Sequence, residues 1–160
     1  MKVRQYCYFA LKSEVMSAVE ISAWLGMDAD AVLVQGSKSV ERRLPRCHSW
    51  KIVERDAECN ADGVADQIQR LVERLSPVRD RLIELAALDE VSSVLQVVRY
   101  FDDPDGVSGA PGGSSADQVR QWSRPFGWHV PLPILEFLSA TRTELDVDEY
   151  DFSDGDDPDV

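Results

Sequence analysis

Between Val64 and Leu85 an apolar residue returns every three or four positions: Val64, Ile68, Leu71, Leu75, Val78, Leu82 and Leu85. That spacing lines one face of a long helix. Ser76-Pro77 interrupts it, and Pro77 removes an intrahelical hydrogen bond from a continuous helix. The apolar register runs through unchanged, so a kink, or a second helix capped by Ser76, is expected there. Val91–Phe101 follows at once and is apolar on both faces, which predicts a strand inside a sheet.

Shorter patterns flank this pair. Tyr6–Leu11 is an aromatic and aliphatic run with strand preference. Ser17 with Glu20 three residues on forms a capping box. It opens a predicted helix with Val19, Ala23 and Trp24 on or near one face, closed by Gly26. Ala31–Gln35 reads as a second strand, and Lys38–Cys47 as irregular. Ser49–Arg55 alternates, with Trp50 and Ile52 on one side and Lys51, Val53 and Arg55 on the other. Asn60-Ala61-Asp62-Gly63 supplies a turn and a cap for the long helix. Asp102–Ser115 turns to Asp, Pro, Gly and Ser, the composition of a flexible loop. Pro131–Ala140 reads as a short helix with Ile134, Leu135, Phe137 and Leu138 as its apolar set. Leu145–Phe152 alternates again, with acids on one face.

The resulting order, β-α-β-β-α-β-α-β, predicts an α+β fold. Its sheet is mixed and largely antiparallel, with about five strands and helices on one face. The first six elements have the ferredoxin-like order, followed by a terminal α-β. At 160 residues one domain is expected over 1–150, with a flexible insertion at 102–127 and an acidic, disordered tail at 151–160.

Charge changes the functional picture. The net charge is −12, and nine acids without a base lie between Glu144 and the C-terminus, leaving −3 for the rest. Nucleic acid and anionic membrane are therefore disfavoured as partners, and a basic protein is the natural one. Three cysteines, Cys7, Cys47 and Cys59, include no C-x-x-C pair, and Cys7 falls in a strand pattern as a small core residue. Met1-Lys2-Val3-Arg4-Gln5 leads directly into a strand, with no apolar signal region. A reduced, cytoplasmic setting is expected.

The chain resembles a family of bacterial domains of unknown function, number 4279 in that series. The resemblance rests on Tyr6–Leu11, Glu20-Ile21-Ser22, Leu25-Gly26 and Ser49-Trp50. It continues through Leu71, Leu75 and Leu82, Tyr100-Phe101, Leu132–Leu138 and Leu145-Asp146-Val147-Asp148. The stretch 102–126 is longer than the resemblance implies, and 36–45 lacks its Trp and Gly signature. The resemblance brings no activity to carry over, so it supports the fold.

Two constellations could bind. Lys38–Arg55 contains Lys38, Arg42, Arg43, Arg46, His48, Lys51 and Arg55 against Glu41 and Glu54. Arg42, Arg43, Arg46 and His48 are the candidate anion site, since guanidinium forks bind carboxylate or phosphate in pairs. Trp122 and Arg124, beside the flexible loop, are residues typical of protein interfaces. With Asp146 and Asp148 they form the candidate partner site. Cys47 and His48 are adjacent on an extended chain and point to opposite faces, which disfavours a Cys-His nucleophile. No metal-ligand spacing and no cofactor motif is present. The expectation is a non-enzymatic interaction module, a protective or regulatory protein that masks a basic partner such as a nuclease toxin. It would be a monomer or weak homodimer without cofactor. The alternative is a small-molecule or anion-binding domain using residues 38–55.

Overall fold

A computed structural model describes residues 2–55, 63–102 and 127–151. The elements are β1 (Lys2–Ser13), α1 (Ala18–Leu25), β2 (Ala31–Leu33), β3 (His48–Arg55) and α2 (Val64–Leu75). A 3₁₀ turn (Ser76–Val78), α3 (Arg79–Ala86), β4 (Val91–Asp102), α4 (Leu132–Ala140) and β5 (Thr143–Asp151) complete the chain order. The five strands form one sheet in the order β2-β3-β1-β4-β5. Every pairing is antiparallel except β4 with β5, which is parallel. The first four strands follow the ferredoxin-like arrangement, and α4 adds β5 as a parallel outer strand by the crossover such a pairing requires.

Alternation along β1 decides which face is covered. Cys7, Phe9 and Leu11 point into the core with Trp50 and Ile52 of β3 and Leu95 and Val97 of β4. The helices complete that core with Ile21 and Leu25, then Ile68, Leu71 and Leu75, then Leu82 and Leu85, and finally Ile134, Phe137 and Leu138. Each fully buried large side chain stabilises the fold by roughly 1.5–3 kcal/mol through the apolar surface it removes from water. The Trp50 indole N–H donates to Ser22 Oγ at 3.0 Å, so the largest core residue also keeps its polar group paired.

The long helix is two helices joined by the 3₁₀ turn, with Pro77 in the turn where its missing N–H is least costly. Ser76 Oγ donates to the Val72 carbonyl at 2.7 Å. Leu71, Leu75, Val78, Leu82 and Leu85 are all buried across the junction. Arg81 donates to the Leu25 carbonyl at 2.8 Å, tying α3 to the end of α1. Gly26 follows in the left-handed conformation (φ 66°), where a Cβ would stand 2.6 Å from the Arg81 guanidinium. The left-handed backbone favours glycine there, and a side chain would in addition displace the Arg81 guanidinium from the Leu25 carbonyl.

Three expectations need correction. In α1, Val19 and Trp24 are exposed, and the inward face is Ala18, Ile21 and Leu25. The helix is apolar on several sides, and its docking beneath Trp50 decides which side turns in. β1 extends well beyond 6–11, because twelve residues of β4 pair along its full length. β2 stops at Leu33 rather than Gln35, because the Gln35 backbone N–H donates to His48 Nδ1 instead of continuing the ladder. The expected insertion at 102–127 lies almost entirely outside the described residues, as do nearly all of the tail and Cys59.

Candidate interaction surface on the helix-free face

The side chains that alternate with the core set form the opposite face of the sheet, which no described helix packs against. Strand register arranges them in rows. Lys51, Ala10, Val94 and Glu144 stand side by side, running from β3 through β1 and β4 to β5. The next row is Val53, Tyr8, Gln96 and Asp146, and the next Arg55, Tyr6, Val98 and Asp148. Arg4, Tyr100 and Tyr150 make the last. Cations therefore stand on β3 and β1, acids on β5, and tyrosines on β1, β4 and β5.

The tyrosines form a continuous stacked series. Ring centroids are 6.4 Å apart for Tyr6 and Tyr8, 6.5 Å for Tyr6 and Tyr100, and 5.2 Å for Tyr100 and Tyr150. Cations lie over them, with Lys51 Nζ 4.3 Å from the Tyr8 centroid, Arg4 5.5 Å from Tyr100 and Arg55 5.8 Å from Tyr6. Offset stacks and cation–π pairs of this kind are worth roughly 0.5–1.5 kcal/mol each. They hold long side chains in one arrangement before any partner arrives, which lowers the ordering cost of binding.

The same crowding alters the proton equilibria. Burial, then a hydrogen bond with Tyr100 and the neighbouring phenols, pushes Tyr6 up to about 12. Burial and the carboxylates of Asp148 and Asp146 raise Tyr8. Burial, then Lys12, lowers Lys51. On β5, Asp148 accepts from Gln96 Nε2 at 3.1 Å, while Glu144, Asp146 and Asp148 are all exposed.

The sequence-predicted partner residues are thus divided. Asp146 and Asp148 share this face; Trp122 and Arg124 lie outside the described residues. Trp128, close by in sequence, is half-buried against the core. The tyrosine series was not anticipated. Tyr6 and Tyr8 alternate with Cys7 and Phe9, so the period placed them opposite the core, but their meeting with Tyr100 and Tyr150 depends on strand register.

The candidate anion site lies at the other edge. Residues 36–45 fold back on themselves through Gly36 N–H to the Pro45 carbonyl, Lys38 N–H to the Leu44 carbonyl, and a Ser39–Leu44 bridge. Arg42, Arg43 and Arg46 are exposed on this loop. His48 lines a cleft of about 590 Å³ between α1 and β2 with Ser17, Ala18, Val19, Ser22, Asp28, Ala29, Val32 and Val34. The three arginines are not among those walls. Cys47, just before β3, lines a different cleft of about 400 Å³ with Lys12, Glu14, Asp89 and Glu90, so the two side chains open into separate clefts. Among the described residues, no group of three or more His, Cys, Asp or Glu side chains is placed to hold a metal ion.

The family described as a domain of unknown function, DUF4279, matches residues 2–152. The chain belongs to the DUF4279 family. That match runs from the first residue of β1 past the last of β5, so every strand of the helix-free face lies within the DUF4279 domain. No curated protein and no solved structure matches the chain. No described helix of this DUF4279 domain is long and apolar enough to cross a membrane.

Proposed function

We propose that this DUF4279 domain is an interaction module that receives a protein partner on the helix-free face of its sheet. The acids of β5 would take lysine or arginine side chains, and the tyrosine series would supply the apolar contact. The observation that carries this reading is the row register, which sets Glu144, Asp146 and Asp148 beside Tyr8, Tyr100 and Tyr150 on one face. Tyrosine is a favoured anchor in interfaces because it contributes much area at low entropic cost. Complementary charge adds encounter rate and selects a basic surface over an acidic one. Protection or regulation of a basic partner is the role this surface suits. The free thiols of Cys7 and Cys47 agree with a reducing, cytoplasmic setting in a bacterium.

Affinity capture at low and moderate salt, with wild type beside Glu144→Gln/Asp146→Asn/Asp148→Asn, tests the reading. A stoichiometric basic partner that salt weakens and the triple variant loses is the expected result. Equal capture by the triple variant would overturn it.

A further inference from the structure

The rows carry more than a general preference for cations. Two of them begin with a cation on β3 and end with an acid on β5: Lys51 with Glu144, and Arg55 with Asp148. Three strand spacings of about 4.8 Å separate the members of each pair, roughly 14 Å, too far for them to meet within one chain. We infer that the helix-free face is built to pack against a second copy of itself. The proposal rests on the reading of that face as the binding surface, and it names the partner.

Symmetry and charge together select the geometry. When two identical sheet faces pack, their two-fold axis lies in the plane between them. An axis running across the strands would set β5 on β5 and bring acids against acids. An axis running along the strands, between β1 and β4, exchanges β3 with β5 and leaves each residue at its own height. Lys51 of each copy then stands opposite Glu144 of the other, and Arg55 opposite Asp148. The same operation lays β1 over β4, so Tyr6 and Tyr8 of each copy approach the partner near the axis, above the buried Val98 and Gln96. Two sheets stack about 10 Å apart, a gap that side chains of this length fill. The basic patch that β5 recognises is therefore on this chain, although the chain as a whole is acidic.

Salt alone is a poor probe, because it weakens the local pairs while relieving the repulsion between two chains of net charge −12. Charge reversal separates the two. Lys51→Glu/Arg55→Glu makes both flanks acidic, and Glu144→Lys/Asp148→Lys makes both basic. Sedimentation equilibrium of the full chain should show a concentration-dependent dimer for wild type. Each double variant alone should dimerise at least about tenfold more weakly. Mixed in equal amounts they should form a one-to-one heterodimer, since every reversed flank then meets its opposite, and that recovery also shows both variants are folded. Wild type that stays monomeric across the concentration range would overturn the proposal. So would double variants that dimerise like wild type, or a mixture that fails to recover. A monomeric wild type whose triple neutral variant still loses a captured basic protein would refute the second copy and leave the binding face standing.

Discussion

The two faces of the sheet are made from the same strands and differ in what holds them. The covered face carries Cys7, Phe9, Leu11, Trp50, Ile52, Leu95 and Val97, all essentially without solvent contact. Among the described residues, the open face carries Tyr6, Tyr8, Lys51, Arg55, Asp146 and Asp148, joined by stacking and charge over Ala10, Val94, Gln96 and Val98, which these long side chains help to bury. Burial of apolar area stabilises the first regardless of side-chain direction, whereas the second depends on which residue stands beside which. One face should therefore respond to changes in size and the other to changes in sign.

The largest effect is expected on the covered face. Leu71→Ala leaves a cavity beneath β1 and should lower unfolding free energy by about 2–5 kcal/mol in a denaturant titration. Ser22→Ala is smaller and sharper. It strips the Trp50 indole N–H of its acceptor inside the core, at a cost of ~1–3 kcal/mol. A loss near zero would mean that the indole finds another partner and that packing alone matters there.

On the open face, Glu144→Lys/Asp148→Lys should cost about 0.5–1.5 kcal/mol of stability, through the hydrogen bond Gln96 loses at Asp148, while weakening association at least about tenfold. A large stability loss with association intact would reverse the contrast between the faces. Tyr6 gives a pH signature. Its folded pKa is raised, so its contribution is fully present below the ordinary tyrosine value of 10.0 and is lost as pH rises through about 12. Ultraviolet titration of Tyr6→Phe against wild type should remove a late tyrosinate transition; removal of one near 10 would contradict the placement.

The smallest effect concerns the surface network between α2 and β3. Asp30 accepts from Arg74 at 2.8 Å and from the Val53 N–H at 2.8 Å, and Arg74 also reaches Glu54 at 3.1 Å. Burial alone would raise the Asp30 carboxyl, but Arg74 and the Val53 N–H outweigh it and hold it below the usual range. Its contribution is present above the ordinary carboxylate pKa and is lost as pH falls through the depressed value. Asp30→Asn should flatten the acid side of the stability curve slightly, because the pair is partly exposed.

These differences also explain what the sequence could show. The α2–α3 apolar register was legible because one period, uninterrupted from Val64 to Leu85, admits a single inward face. α1 was not legible in this way. With Ala18, Val19, Ile21, Ala23, Trp24 and Leu25 in eight residues, it has no polar side to mark the outside, and tertiary docking chose it. The acids of β5 were visible by alternation. The tyrosine series was not, since Tyr6 and Tyr100 lie far apart in sequence and only the β1–β4 register makes them neighbours. Arg42, Arg43 and Arg46 were close in sequence, yet their loop leaves them outside the cleft that His48 lines.

Tyr150 on the open face and Trp24 on α1 are almost equally exposed, at 44% and 43%, which makes them matched reporters for the two sides. Hydroxyl-radical footprinting should follow both as the chain is concentrated or as a captured partner is added. Protection of Tyr150, with Tyr100 stacked beside it and Trp24 unchanged, is the predicted result. Protection of Trp24 with the tyrosines unchanged would place the binding surface on the helices and contradict the account.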